Sequence, residues 1–134
     1  MPAVRRSILF VSLVVGLMFA TSAAAAGAVY FSGAVGGRHV RPRNLYLTAD
    51  GTLAVFKVRW DTWGGRRATG RGRAEYHGCT PDCASGVDHH ARVSIRLSNI
   101  RRCGSRRYYT HVRLTLPSGR LLARGFLRIS FKPC

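Results

Sequence analysis

Beyond residue 40 the chain alternates apolar and polar positions with a period of two, in short runs broken by turn residues. That rhythm belongs to strands with one buried face, and no stretch in this part keeps helical spacing for long. Residues 44–48 lead into Asp50-Gly51, a strong hairpin signal, and 53–60 follow with Ala54, Phe56, Val58 and Trp60 on one face and Lys57 and Arg59 on the other. Over 67–76 the outward set is Arg67, Thr69, Arg71, Arg73 and Glu75, and the inward set is Ala68, Gly70, Gly72, Ala74 and Tyr76. Inward residues this small predict close approach by something bulky, so Trp60 and Trp63 are expected to lie over that strand as core residues. Residues 91–99 bury Val93, Ile95 and Leu97 and expose Arg92, Ser94, Arg96 and Ser98, while Tyr108, Thr110, Val112, Leu114 and Leu116 point inward over 108–116. Pro117-Ser118-Gly119 then turns the chain into a last strand over 121–131, a hairpin partner of the one before. The expected fold is all-β: a small antiparallel barrel or sandwich of six or seven strands, after an N-terminal signal helix.

The first 26 residues follow another rule. Arg5 and Arg6 are followed by an apolar run over 8–20 and by Ala24-Ala25-Ala26, the three parts of a secretory signal peptide, with cleavage expected after Ala26. An uncleaved membrane anchor is the competing reading, because no charge interrupts the chain between Arg6 and Arg38. Either way the rest of the chain is expected outside the cytoplasm, secreted or held at the membrane. Arg5-Arg6-Ser7-Ile8-Leu9 also meets the loose twin-arginine export pattern. The first cysteine is Cys79, which excludes lipoprotein anchoring at the cleavage site. Residues 27–40 read as a flexible or first-strand leader, and 41–134 as a single disulfide-bonded β domain.

Export gives the cysteines a meaning. Cys79, Cys83, Cys103 and Cys134 are an even number in a small chain bound for an oxidising compartment, so two disulfides are expected, with all three pairings open. Any pairing that uses Cys134 would tether the last residue of the chain.

Charge changes the picture further. The formal net charge is +17, and without Arg5 and Arg6 it is still +15, carried by 18 Arg and 2 Lys against five acids. Self-repulsion of that size works against a compact state unless anions gather around it, which points to a polyanionic partner. The competing account is a GC-rich genome that writes arginine wherever a solvated cation is tolerated.

Several of these residues recur in a known pattern: Arg41-Pro42, Asp50-Gly51, Trp60-Asp61-Thr62-Trp63-Gly64, Ala68 with Gly70, Cys79-Thr80-Pro81-Asp82-Cys83-Ala84-Ser85-Gly86, Leu97-Ser98, Cys103 and Tyr109-Thr110. In these the chain resembles small secreted actinobacterial proteins of unknown function that share a W-x-x-W-G and C-x-P-x-C-A-x-G pattern. The resemblance implies an exported, mostly β domain and brings no catalytic residue with it. Some proteins of that pattern carry a cysteine just before the Asp-Gly turn, where this chain has Ala49, which leaves the disulfide pairing open.

Catalytic constellations are weak. His77, Cys79, Cys83 and His90 are zinc-ligand types close together, but disulfides would consume the thiolates zinc needs. They support only the rival reading of a metal-binding protein. A metal-free hydrolase using His89 or His111 with Asp88 is the other rival. Gly70-Arg71-Gly72 lacks the third glycine of a dinucleotide loop, neither G-x-S-x-G nor H-E-x-x-H occurs, and no cofactor is expected. The remaining signal is arginine. Arg67, Arg71, Arg73, Arg92, Arg96 and Arg113 are expected on exposed strand faces, and Arg101, Arg102, Arg106 and Arg107 in a loop around Cys103. Guanidinium forks match phosphate oxygens bidentately, so the favoured reading is a non-enzymatic cell-envelope or polyanion-binding module. Its expected partner is an anionic wall polymer, a lipid headgroup surface or nucleic acid.

Overall fold

The computed structural model describes residues 27–79, 81–119 and 129–134. The expected signal segment over 1–26, and residues 121–128 of the expected last strand, lie outside the described residues. Seven strands form one sheet: β1 (Val29–Tyr30), β2 (Leu45–Tyr46), β3 (Leu53–Thr62), β4 (Ala68–His77), β5 (Asp88–Cys103), β6 (Arg106–Thr115) and β7 (Ile129–Ser130). Their order is β1-β6-β5-β4-β3-β2, with β7 also on β6. β2 to β6 run as an antiparallel meander. The free side of β6 is shared end to end: β1 pairs with it in parallel at Arg107 and Tyr108, and β7 antiparallel at His111 and Val112. The sheet curls into a half-barrel, the barrel-like form of the all-β architecture that the alternation predicts.

The curl has a local cause in β3. Leu53 to Phe56 pair with Tyr76 to Arg73 in steady register, but one extra residue enters before Arg59, which opposes Arg71, and another between Trp60 and Thr62. Lys57 takes the left-handed conformation at φ 53°. Extra residues in one strand bend it and increase its twist. They also change which side chains turn inward. Leu53 and Val55 are fully buried before the irregularity, and Val58 is buried after it. The expectation that Phe56 shares an inward face with Val58 and Trp60 is therefore corrected: Phe56 is only half-buried, opposite exposed Arg73, and meets Tyr46 edge-on at 6.0 Å.

β4 and β5 follow the alternation as read. Ala68, Gly70 and Ala74 are buried, as are Val93, Ile95 and Leu97, with Arg71, Arg73, Arg92, Ser94 and Arg96 exposed between them. A Cβ on Gly70 would lie 2.6 Å from the Arg59 carbonyl oxygen and 3.0 Å from the Trp60 ring, so the close approach by Trp60 is real. At Gly72 the close neighbours are Val55 and Val58 instead. Trp63 looks elsewhere: its indole N–H donates to the Val29 carbonyl at 2.9 Å and its ring packs edge-on against Tyr109 at 5.4 Å.

The N-terminal segment completes the core. Val29 and Phe31 are buried together with Leu45 and Leu47, and Phe31 exchanges both backbone hydrogen bonds with His39. Tyr109, not in the expected inward set, is 1% exposed; its hydroxyl accepts from the Gly64 N–H and donates to the Gly65 carbonyl, so it anchors the β3–β4 turn. Asn99, left-handed at φ 55°, interrupts the alternation of β5, and Ile100 beyond it packs against the core. The disulfides are Cys79–Cys83, within the β4–β5 connection, and Cys103–Cys134, which ties the β5–β6 hairpin to the last residue.

Candidate anion-binding face

Strand register decides which arginines meet. Across the outer face of β3 to β6, Arg59 opposes Arg71, Arg73 opposes Arg92, and Arg96 opposes Arg113. All six are exposed. Directly opposed residues of an antiparallel pair hold their Cβ atoms about 5 Å apart, and like charges there are destabilising by several tenths of a kcal/mol, up to about 1 kcal/mol per pair. Three such pairs on one face work against the fold that displays them.

The acids relieve little of the repulsion. All five lie in the described residues, and each has a specific partner. Asp50 accepts from the backbone N–H and hydroxyl of Thr52, which holds its carboxyl below the usual range. Asp82 accepts from the Ser85 hydroxyl and from the backbone of Ser85 and Ala84, with the same effect. Asp88 is taken by His77. Only Asp61, at 3.1 Å from Arg71, and Glu75, at 3.9 Å from Arg73, form ion pairs with arginine among the described residues, and these exposed pairs contribute little. Arg59, Arg92, Arg96 and Arg113 have no carboxylate within ion-pair distance among the described residues.

The other expected site residues divide. Arg67 precedes β4 and lines a separate hollow of about 760 Å³ with Arg66, Ser98, Asn99 and Ile100. Arg101, Arg102, Arg106 and Arg107 were expected in a loop, and this is corrected: they are strand residues of β5 and β6, with Arg102 opposite Arg107 and Cys103 opposite Arg106. The ladder continues to the two-residue turn because each of these residues has a paired backbone partner. Arg107 also donates to the Gly27 carbonyl. Arg59, outward in the sequence pattern, meets Arg71 only through the strand register, which residue type does not report.

The histidine and cysteine constellations resolve differently from both rival readings. Cys79 and Cys83 are joined to each other and offer no thiolate to a metal, while His90 turns to Glu75, 3.6 Å away. His77 donates from Nδ1 to Asp88 Oδ1 and from Nε2 to the Cys83 carbonyl, both at 2.8 Å. Two acceptors on one ring require both nitrogens protonated, so His77 is an imidazolium clasp. Its pKa is raised, chiefly by the Asp88 hydrogen bond and then by the Cys83 carbonyl, and the same contact lowers that of Asp88. His89 stacks on Tyr76 at 5.0 Å, and His111 contacts Asn99 and Thr110. Neither has Asp88 as its partner among the described residues, where Asp88 is held by His77, whose two nitrogens are both engaged.

Comparison of the chain with protein-family models, with curated proteins and with solved structures finds no match.

Proposed function

We propose that this chain is an exported binding module for phosphate-rich polymers at the cell envelope, gripping them with the arginines of the outer β3–β6 face. One observation carries the reading: three arginine pairs stand directly opposed on the outer β3–β6 face, where only Arg71 and Arg73 meet a carboxylate, each in an exposed ion pair, while Asp50, Asp82 and Asp88 are held by other partners. Repulsion of that kind is relieved when phosphates sit between the guanidinium groups, each fork taking two oxygens. Two disulfides are consistent with an extracellular setting and support the exported half of the proposal. The tryptophans pack toward the core, and the outer face presents chiefly cations and hydroxyls with Phe56 and Tyr46 beside Arg73, so the grip rests on the phosphates.

The test is binding of the purified protein to a wall-type phosphodiester polymer, to anionic vesicles and to nucleic acid over a salt series. Neutralising about six phosphates predicts that log affinity falls linearly with log salt, with a slope of about −4 to −5. A flat dependence for all three partners overturns the proposal and leaves genome composition as the account of the arginines.

A further inference from the structure

Within the outer face one patch is built more finely than the rest. Two rows of the ladder run side by side: Arg71, Ser94 and Thr115 in one, Thr69, Arg96 and Arg113 in the next. Together with Asp61 they line a shallow depression of about 480 Å³. Adjacent strands are about 4.8 Å apart and alternate residues about 6.8 Å apart along a strand, so three arginine side chains from three strands can converge on one small ligand above Ser94. Ser94 and Thr115 stand directly opposite each other, and neither hydroxyl has a hydrogen-bond partner among the described residues. The Thr69 hydroxyl, by contrast, is held by Thr62 at 2.9 Å.

Asp61 is the informative residue. One of its oxygens accepts from Arg71 at 3.1 Å, and the other has no hydrogen-bond donor among the described residues. A carboxylate on the rim of an anion site repels any ligand that offers it only lone pairs. It accepts a hydrogen bond from a ligand that carries its own O–H.

We propose that this depression is a subsite for a single protonated phosphoryl group, and that Asp61 selects it over sulfuryl. Arg71, Arg96 and Arg113 supply the charge, Ser94 and Thr115 donate to two phosphoryl oxygens, and the free Asp61 oxygen accepts the P–OH proton. Monohydrogen phosphate has that proton near neutrality, and sulfate, fully ionised, has none. The inference rests on the polyanion reading of the outer face and names the chemistry of one position within it, which takes a terminal phosphomonoester, since an internal phosphodiester has no P–OH to offer Asp61.

The experiment is an amide chemical-shift titration of the purified protein with inorganic phosphate and, separately, with sulfate at constant ionic strength. Saturable shifts are expected at Gly70, Ser94, Arg96 and Arg113, with phosphate bound roughly three- to tenfold tighter than sulfate, the value of one hydrogen bond. Asp61→Asn should bring that ratio close to one, and Arg113→Gln should weaken both anions while the spectrum keeps the dispersion of the folded protein. Equal affinity for the two anions in the wild type, or shifts spread evenly over all the arginines, overturns the subsite. Localised phosphate binding without polymer binding would sink the polymer reading alone, whereas polymer binding without localised phosphate would sink the subsite alone.

Discussion

Gly70→Ala puts one methyl group under the arginine face, where the structure leaves no room for it. The new Cβ would sit 2.6 Å from the Arg59 carbonyl oxygen, 3.0 Å from the Trp60 ring and 3.2 Å from the Trp60 Cα. Two of these three atoms are backbone of the neighbouring strand, at its second irregularity, so rotating a side chain cannot relieve the overlap. The Trp60 indole cannot swing away either without giving up its N–H bond to the Pro42 carbonyl at 2.9 Å. In a relaxed strand interior, alanine for glycine would stabilise by roughly 0.5–1 kcal/mol. Overpacking a tight site costs about 1–3 kcal/mol, so the clash wins and the expected net loss is about 1–2 kcal/mol. Denaturant unfolding at unchanged m-value reads this directly, and a domain of this size should lose roughly 4–8 °C of Tm per kcal/mol. Gly65→Ala is the control, because its nearest neighbour would be the Arg67 carbonyl at 3.8 Å, an ordinary contact; it should be neutral or slightly stabilising. A Gly70→Ala protein as stable as the wild type would refute the packing of Trp60 on β4.

The two disulfides should differ in worth, because chain-entropy stabilisation grows with loop length. Cys103 and Cys134 are 31 residues apart and Cys79 and Cys83 only 4, so removing the first pair by serine substitution should cost about 3–4 kcal/mol and the second about 2 kcal/mol. Equal losses by denaturant unfolding would contradict that order. The His77 clasp makes stability depend on pH. A histidine raised above its ordinary value of 6.5 stabilises fully below that value and loses the contribution as pH rises through the raised one. Asp88, lowered below 3.8, contributes above that value and loses its share in stronger acid. The stability gap between wild type and His77→Gln should therefore be largest near about pH 5.5 and shrink toward about pH 8; a gap that widens with pH would contradict the imidazolium assignment.

Where residue type alone reports burial, the sequence was a good guide. The apolar positions of 93–97 and the small inward residues of β4 sit where alternation put them, because both strands keep unbroken register over that length. β3 was harder to read. Lys57 is as plausible in a regular strand as at an irregularity, yet the extra residue moves Leu53 and Val55 to the core side. It also aligns Arg59 with Arg71; the register of the first half of β3, carried on, would set Arg59 opposite Gly70. The first arginine pair was thus invisible without the register; for the other two the alternation gave the outward positions of Arg73, Arg92, Arg96 and Arg113 but not which of them oppose each other. The polar run over 101–107 hid a continuous hairpin for a related reason: strand ends held by backbone pairing and a disulfide do not need apolar alternation. Tyr109 is buried by a partner in the Gly64–Gly65 turn, 44 residues away for its donated hydrogen bond, a contact that local periodicity cannot report.

One measurement tests most directly whether the opposed arginines of the outer face serve a polyanion: the salt dependence of phosphate-polymer binding by a variant that lacks one arginine of each of its three pairs. In Arg71→Ser/Arg92→Ser/Arg113→Ser the slope of log affinity against log salt should fall by about 2–3, while stability of the free protein holds or rises as like-charge pairs disappear. The matched variant Arg101→Ser/Arg102→Ser/Arg106→Ser removes the same charge from the hairpin end and should change the slope less. An unchanged slope in the first variant, or the same loss in both, would contradict the assignment of binding to the outer β3–β6 face.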